Sequence, residues 1–162
     1  MNISKVIFIG FMLIAGCVDI NSSMQADMPT GVIKLSADED GGGKSCALTI
    51  SNTAPDPQRF NMASTSCKND EARYFALENM PSTTRIRFDN KQCNEAGHDW
   101  YFLIKTIVHP TTTRRINLRE LKDSAEGSII VRGVMLVEKN LASEYQDGKL
   151  SCVVVWRAYG AD

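Results

Sequence analysis

The sequence contains no Cys-x-x-Cys, which counts against a thioredoxin-like redox centre and against a zinc ribbon. It also lacks Gly-x-Ser-x-Gly, His-Glu-x-x-His and a phosphate-binding glycine loop, so the common hydrolase, zinc-peptidase and nucleotide signatures are missing. Histidine is limited to His98 and His109, the first in a Gly-containing polar stretch and the second before Pro110, both of which read as loop or turn positions. Neither sign of charge dominates: 18 Lys and Arg face 19 Asp and Glu, a net charge of −1, which gives no global electrostatic reason to bind nucleic acid. No apolar run reaches the roughly 20 residues that a membrane-spanning helix needs. What remains is 162 residues with 43% hydrophobic and 23% charged side chains, enough chain for one domain with a real core.

The amino terminus has the layout of an export signal: Lys5, the apolar run Val6 to Gly16, then Cys17. The segment Leu13-Ile14-Ala15-Gly16-Cys17 resembles the lipobox of bacterial lipoproteins, with Ile14 where Leu is commoner. The resemblance implies cleavage before Cys17 and lipidation of that cysteine, with acyl chains anchoring the protein through about 0.8 kcal/mol per buried methylene. Val18 follows the cysteine instead of Asp, which by the same resemblance implies the outer membrane; the domain is separately expected to face the periplasm. The expected organisation is therefore a signal peptide at 1–16, a lipid-anchored tether at 17–30, small and polar around Asn21-Ser22-Ser23, and one domain at 31–162.

Without Cys17, four cysteines remain in a chain bound for an oxidising space, which reads as two disulfides among Cys46, Cys67, Cys93 and Cys152. Cys46 and Cys152 fall in alternating, strand-like runs, whereas Cys67 and Cys93 lie in polar stretches. The preferred pairing is Cys46 with Cys67 and Cys93 with Cys152.

Period-two alternation recurs along the domain. Strands are expected at 32–35, 46–50, 74–77, 84–88, 100–108, around Ile116 and Leu118, at 129–138 and at 150–156. The run Trp100 to Val108 is apolar on both faces and is placed centrally in a sheet. Helical turns are allowed only at 61–73 and 141–145. Seven or eight strands with no amphipathic helix between them predict an all-β fold, an antiparallel sandwich or small barrel.

Candidate chemistry is sparse. Asp38-Glu39-Asp40 before three glycines invites a calcium reading, but no glutamate closes the loop and a solvated hairpin tip is favoured. The stretch Glu78 to Thr83 resembles the calcium-binding turn of βγ-crystallin domains over about ten residues and departs from it at the first position. No metal site or cofactor is expected. Arg114, Arg115, Arg119 and Lys122 form one basic stretch able to meet an acidic partner, and Arg85, Arg87 and Lys91 form a second; solvated outer strand faces account for both as well. Tyr101, Tyr145 and Tyr159 are candidate exposed aromatics.

These features favour a non-enzymatic protein-binding module, an inhibitor or immunity protein that occludes a toxic effector or hydrolase. A structural or assembly lipoprotein of a secretion or surface apparatus stays open as the alternative. The expected partners are the membrane, through Cys17, and a protein, with no nucleic acid.

Overall fold

The computed structural model describes residues 30–157. Two antiparallel sheets face each other, so the fold is a β-sandwich with two disulfides and not a closed barrel. One sheet has four strands in the order β2-β1-β4-β7: β1 is Val32–Ser36, β2 Ser45–Thr49, β4 Tyr74–Glu78 and β7 Ile116–Asn117. The other has six in the order β3-β10-β5-β6-β9-β8, with β3 at Gln58–Asn61, β5 Arg85–Asp89, β6 Trp100–Thr106, β8 Ile129–Val131, β9 Val134–Leu141 and β10 Cys152–Trp156. Among the described residues one α-helix forms, α1, at Leu118–Asp123.

Alternation dictates the core. Register brings Ile33 opposite Leu77 and Leu35 opposite Phe75 in the small sheet, and Phe88 opposite Phe102 and Val153 in the large one. All of these are buried, and each such side chain is worth roughly 1.5–3 kcal/mol when fully removed from water. The two layers meet where the rings of Phe75 and Phe88 approach to 4.6 Å between centroids. As the run Trp100 to Val108 implies, β6 lies inside its sheet between β5 and β9, although the strand ends at Thr106 and leaves Ile107 and Val108 exposed.

Among the described residues ten strands form in place of seven or eight, for two local reasons. The stretch 129–138 is a hairpin, because Arg132-Gly133 makes a two-residue turn between Val131 and Val134 with Gly133 at φ +88, a backbone conformation that favours glycine. The short edge strand β3 was hidden behind Pro55 and Pro57 and carries little alternation. Leu118 does not continue β7: Asn117 caps α1, its side chain accepting from the Arg119 amide at 2.8 Å while Glu120 accepts from the Asn117 amide at 3.1 Å. Leu118 and Leu121, one turn apart, are both fully buried. No helix forms at 141–145, and 61–73 holds only a 3-10 turn at Met62–Ser64.

The disulfides join Cys46 to Cys67 and Cys93 to Cys152, with Cα separations of 4.9 and 5.2 Å. The first ties β2 to the connection that crosses between the sheets after β3. The second pins the β5–β6 loop to the start of β10. Cys17 and the expected signal and tether segments, apart from Thr30, lie outside the described residues, as does Tyr159.

Candidate functional site

Inward-facing residues of the six-stranded sheet are apolar, so their alternates form the outer face, and strand register turns these into a grid. Arg59 on β3, Val154 on β10, Arg87 on β5, Leu103 on β6 and Glu138 on β9 lie in one row. The neighbouring row runs Trp156, Arg85, Lys105, Met135 and Ile129. On the other side lie Asn61, Cys152, Asp89, Tyr101 and Asn140.

Cations and rings interleave across this grid. The guanidinium carbons of Arg85 and Arg87 lie 5.5 and 5.7 Å from the centre of the Trp156 ring system, and Arg87 also lies 5.6 Å from that of Tyr101. Val154 and Leu103 flank Arg87 in register and are 0% and 4% exposed although they face outward, so the long side chains around them lie across the sheet and cover it.

Charge on this face is unevenly compensated. Arg87 lies 3.4 Å from Asp89, and the Tyr101 hydroxyl donates to Glu138, which pushes the phenol up to about 12. Among the described residues, Arg59, Arg85 and Lys105 have no carboxylate partner. On the outer face of the four-stranded sheet, by contrast, Lys34 is paired with Glu78.

One end of the grid is closed by the β5–β6 loop. Asp89, at the foot of the loop, is buried; desolvation raises its carboxyl pKa above the ordinary value, while the Lys91 amide, His98 and Arg87 pull it back. Nδ1 of His98 reaches to 2.6 Å from Oδ2 of Asp89, and the imidazole meets Tyr101 edge-on at 5.0 Å. Beyond the loop lies a polar cleft of about 280 Å³, lined by Asp70, Glu95, Asp99, Glu144 and Lys149 among others.

The basic stretch at 114–122 is taken up by local structure. Arg114 makes a two-point contact with Glu120 at 3.0 and 2.7 Å, Arg119 pairs with Asp147, and Arg115 donates to Ser36 at 3.2 Å while packing against Gly41. Lys122 supplies a backbone carbonyl to Lys139. The stretch therefore fastens α1 and its approach to the sandwich. Of the second basic stretch, Arg85 and Arg87 stand on the outer face, whereas Lys91 pairs with Asp99 in the loop at 3.3 Å.

Tyr101 belongs to the grid, but Tyr145 is buried against Trp100 and Phe102. Sequence reasoning left Arg59, Lys105 and Trp156 unassigned; the alternation of Trp156 with Val155 was readable, but its meeting with Arg85 needs the register between distant strands. The acidic turn at 38–43 is a hairpin tip in which Asp40 accepts from the Gly42 amide at 2.7 Å. No group of three or more potential metal ligands occurs among the described residues.

Comparison with family models, curated proteins and solved structures finds no match.

Proposed function

We propose that this protein is an outer-membrane lipoprotein, anchored through Cys17, whose β-sandwich docks another protein on the outer face of the six-stranded sheet. The supporting observation is the cluster on the outer face of this sheet in which Arg85 and Arg87 both approach the Trp156 ring system and Arg87 also approaches Tyr101. Trp, Tyr and Arg are the residues most often found to dominate protein–protein binding energy. Small-molecule sites are mostly apolar, whereas this face carries Arg59, Arg85, Arg87 and Lys105. A sheet held by two disulfides loses little conformational freedom on association, which suits an inhibitor or immunity protein that covers an effector or hydrolase with a preformed surface.

The test is site-specific photo-crosslinking in intact envelopes, with the crosslinker at Lys105 on the proposed face or at Thr49 on β2 of the other sheet, followed by mass spectrometry. One protein captured from Lys105 and not from Thr49, and still bound by a Cys17→Ala chain, supports the inhibitor reading. Several membrane-machine subunits that are lost with Cys17→Ala support an assembly role instead. Equal capture from both positions overturns the docking face.

A further inference from the structure

Resting on that docking reading, we infer that the segment recognised by this face is an extended acidic stretch of the partner protein, with carboxylates at alternate positions, running along β5.

Charge complementarity and spacing carry the inference. Arg59, Arg85 and Lys105 lack a carboxylate partner among the described residues, and the Nε of Arg87 is buried without a hydrogen-bond partner. Glu138 accepts from the Tyr101 hydroxyl, and Asp89 is buried against His98 and Arg87, so neither carboxylate is paired with Arg59, Arg85 or Lys105. Arg85 and Arg87 are two residues apart on one strand, and same-face positions on an extended chain repeat at about 6.6 Å. An extended partner segment repeats at the same distance, so Asp or Glu at every second position would meet Arg85 and Arg87 in turn. Lys105, opposite Arg85, and Arg59, two strands from Arg87, flank this track on either side. The Arg85 guanidinium, placed over the Trp156 ring system and without a carboxylate partner among the described residues, is open to the two-point bonding that carboxylates accept, while Arg87, already facing Asp89 at 3.4 Å, adds positive charge beside it.

Other anionic partners fit less well. A nucleic acid calls for a strongly basic domain or stripe, whereas the cations of this face are few and lie in a chain of net charge −1. Trp156, with two guanidinium groups near it, is poorly placed to insert into a lipid surface. Met135 and Ile129 border the cations and give a protein side chain an apolar margin.

The full chain in neutral detergent would be titrated with a peptide of alternating Thr and Glu, and with an isomer carrying the same glutamates in one block. Trp156 fluorescence is the signal, with Trp156→Phe identifying its share against Trp100. The alternating peptide should bind at least tenfold more tightly than its isomer. Arg85→Glu combined with Lys105→Glu should weaken it at least tenfold with unchanged circular dichroism and melting temperature, and added salt should weaken it too. Equal affinity for the two isomers, no binding at millimolar peptide, or stronger binding to phosphatidylglycerol vesicles or an oligonucleotide would each overturn the inference. If a protein is captured through Lys105 in envelopes and the charge-reversed chain captures it equally well, the acidic-segment inference fails while the docking face stands.

Discussion

Nδ1 of His98 stands 2.6 Å from Oδ2 of Asp89, a carboxylate that is 2% exposed at the point where β5 turns into the loop bridged to β10. The contact joins the loop to the sheet beneath the proposed recognition track. Burial raises the Asp89 pKa, so the folded chain holds this proton more tightly than the unfolded chain does. The contribution of Asp89 to stability is therefore fully present below the unfolded carboxylate value of about 3.9 and declines as pH rises through the folded value. Asp89→Asn removes this dependence. In a His98→Gln background, which excludes imidazole titration, urea unfolding between pH 7 and pH 4 should show the aspartate form gaining stability relative to the asparagine form as pH falls. A difference that does not change with pH would refute the role assigned to burial.

Much of the sandwich is legible from alternation alone. Runs such as Thr84 to Phe88 place one face in the core whatever the partner strand is, and the polar positions of Cys67 and Cys93 point to bridges from loops to strands. The helix at Leu118 was obscured because Ile116 and Leu118 fit period two, while the competing signal, Asn117 with Glu120 three residues later, is a capping box. The site was legible only in part. Arg85 and Arg87 announce an outward face by themselves, but Trp156 comes from the far end of the described chain and Arg59 from an unrecognised edge strand. Their juxtaposition is a property of register, which one sequence does not print.

The two disulfides close loops of different length, with sequence separations of 21 and 59. The chain-entropy relation assigns about 3.3 kcal/mol to the shorter and about 4.2 kcal/mol to the longer, before any native-state relaxation. The Cys93→Ala/Cys152→Ala chain should therefore be the less stable of the two double variants in denaturant. It should also expose the β5–β6 loop to limited proteolysis, because this bridge holds the loop to β10. Cleavage confined to 65–73 in that variant would contradict the assignment.

The capping box at the start of α1 gives a second pH prediction. Hydrogen bonding from Arg114 holds the Glu120 carboxyl below its usual value, with help from the Asn117 amide. Its contribution is present above the unfolded glutamate value and is lost as pH falls through the lower, folded value. Glu120→Gln should therefore reduce stability at pH 7, and the difference from the parent chain should shrink as pH falls below the unfolded glutamate value. Asn117→Ala should cost about 1 kcal/mol at any pH, since it removes a cap and not a charge. Equal pH dependence for the two variants in urea titrations would mean that the ion pair contributes nothing.

Arg157 follows β10 and fastens the turn that precedes β3. Its guanidinium donates to the backbone carbonyls of Ser51, at 3.1 Å, of Asn52, and of Ala54, at 2.7 Å, and its amide donates to Asp56 at 2.9 Å. Three carbonyls on one planar cation define the course of 51–56, a stretch with no ladder of its own. Hydrogen bonds to charged groups contribute roughly 1.5–3 kcal/mol, and the low end applies here because the side chain is partly exposed. Arg157→Ala should thus cost about 1.5 kcal/mol and increase amide exchange from 51–56 through β3, the strand that carries Arg59. Arg157→Lys should recover only part, because an ammonium cannot reproduce the planar fork. If exchange rises uniformly across the sandwich instead, Arg157 supports global stability and does not act as a local fastening for the edge of the docking face.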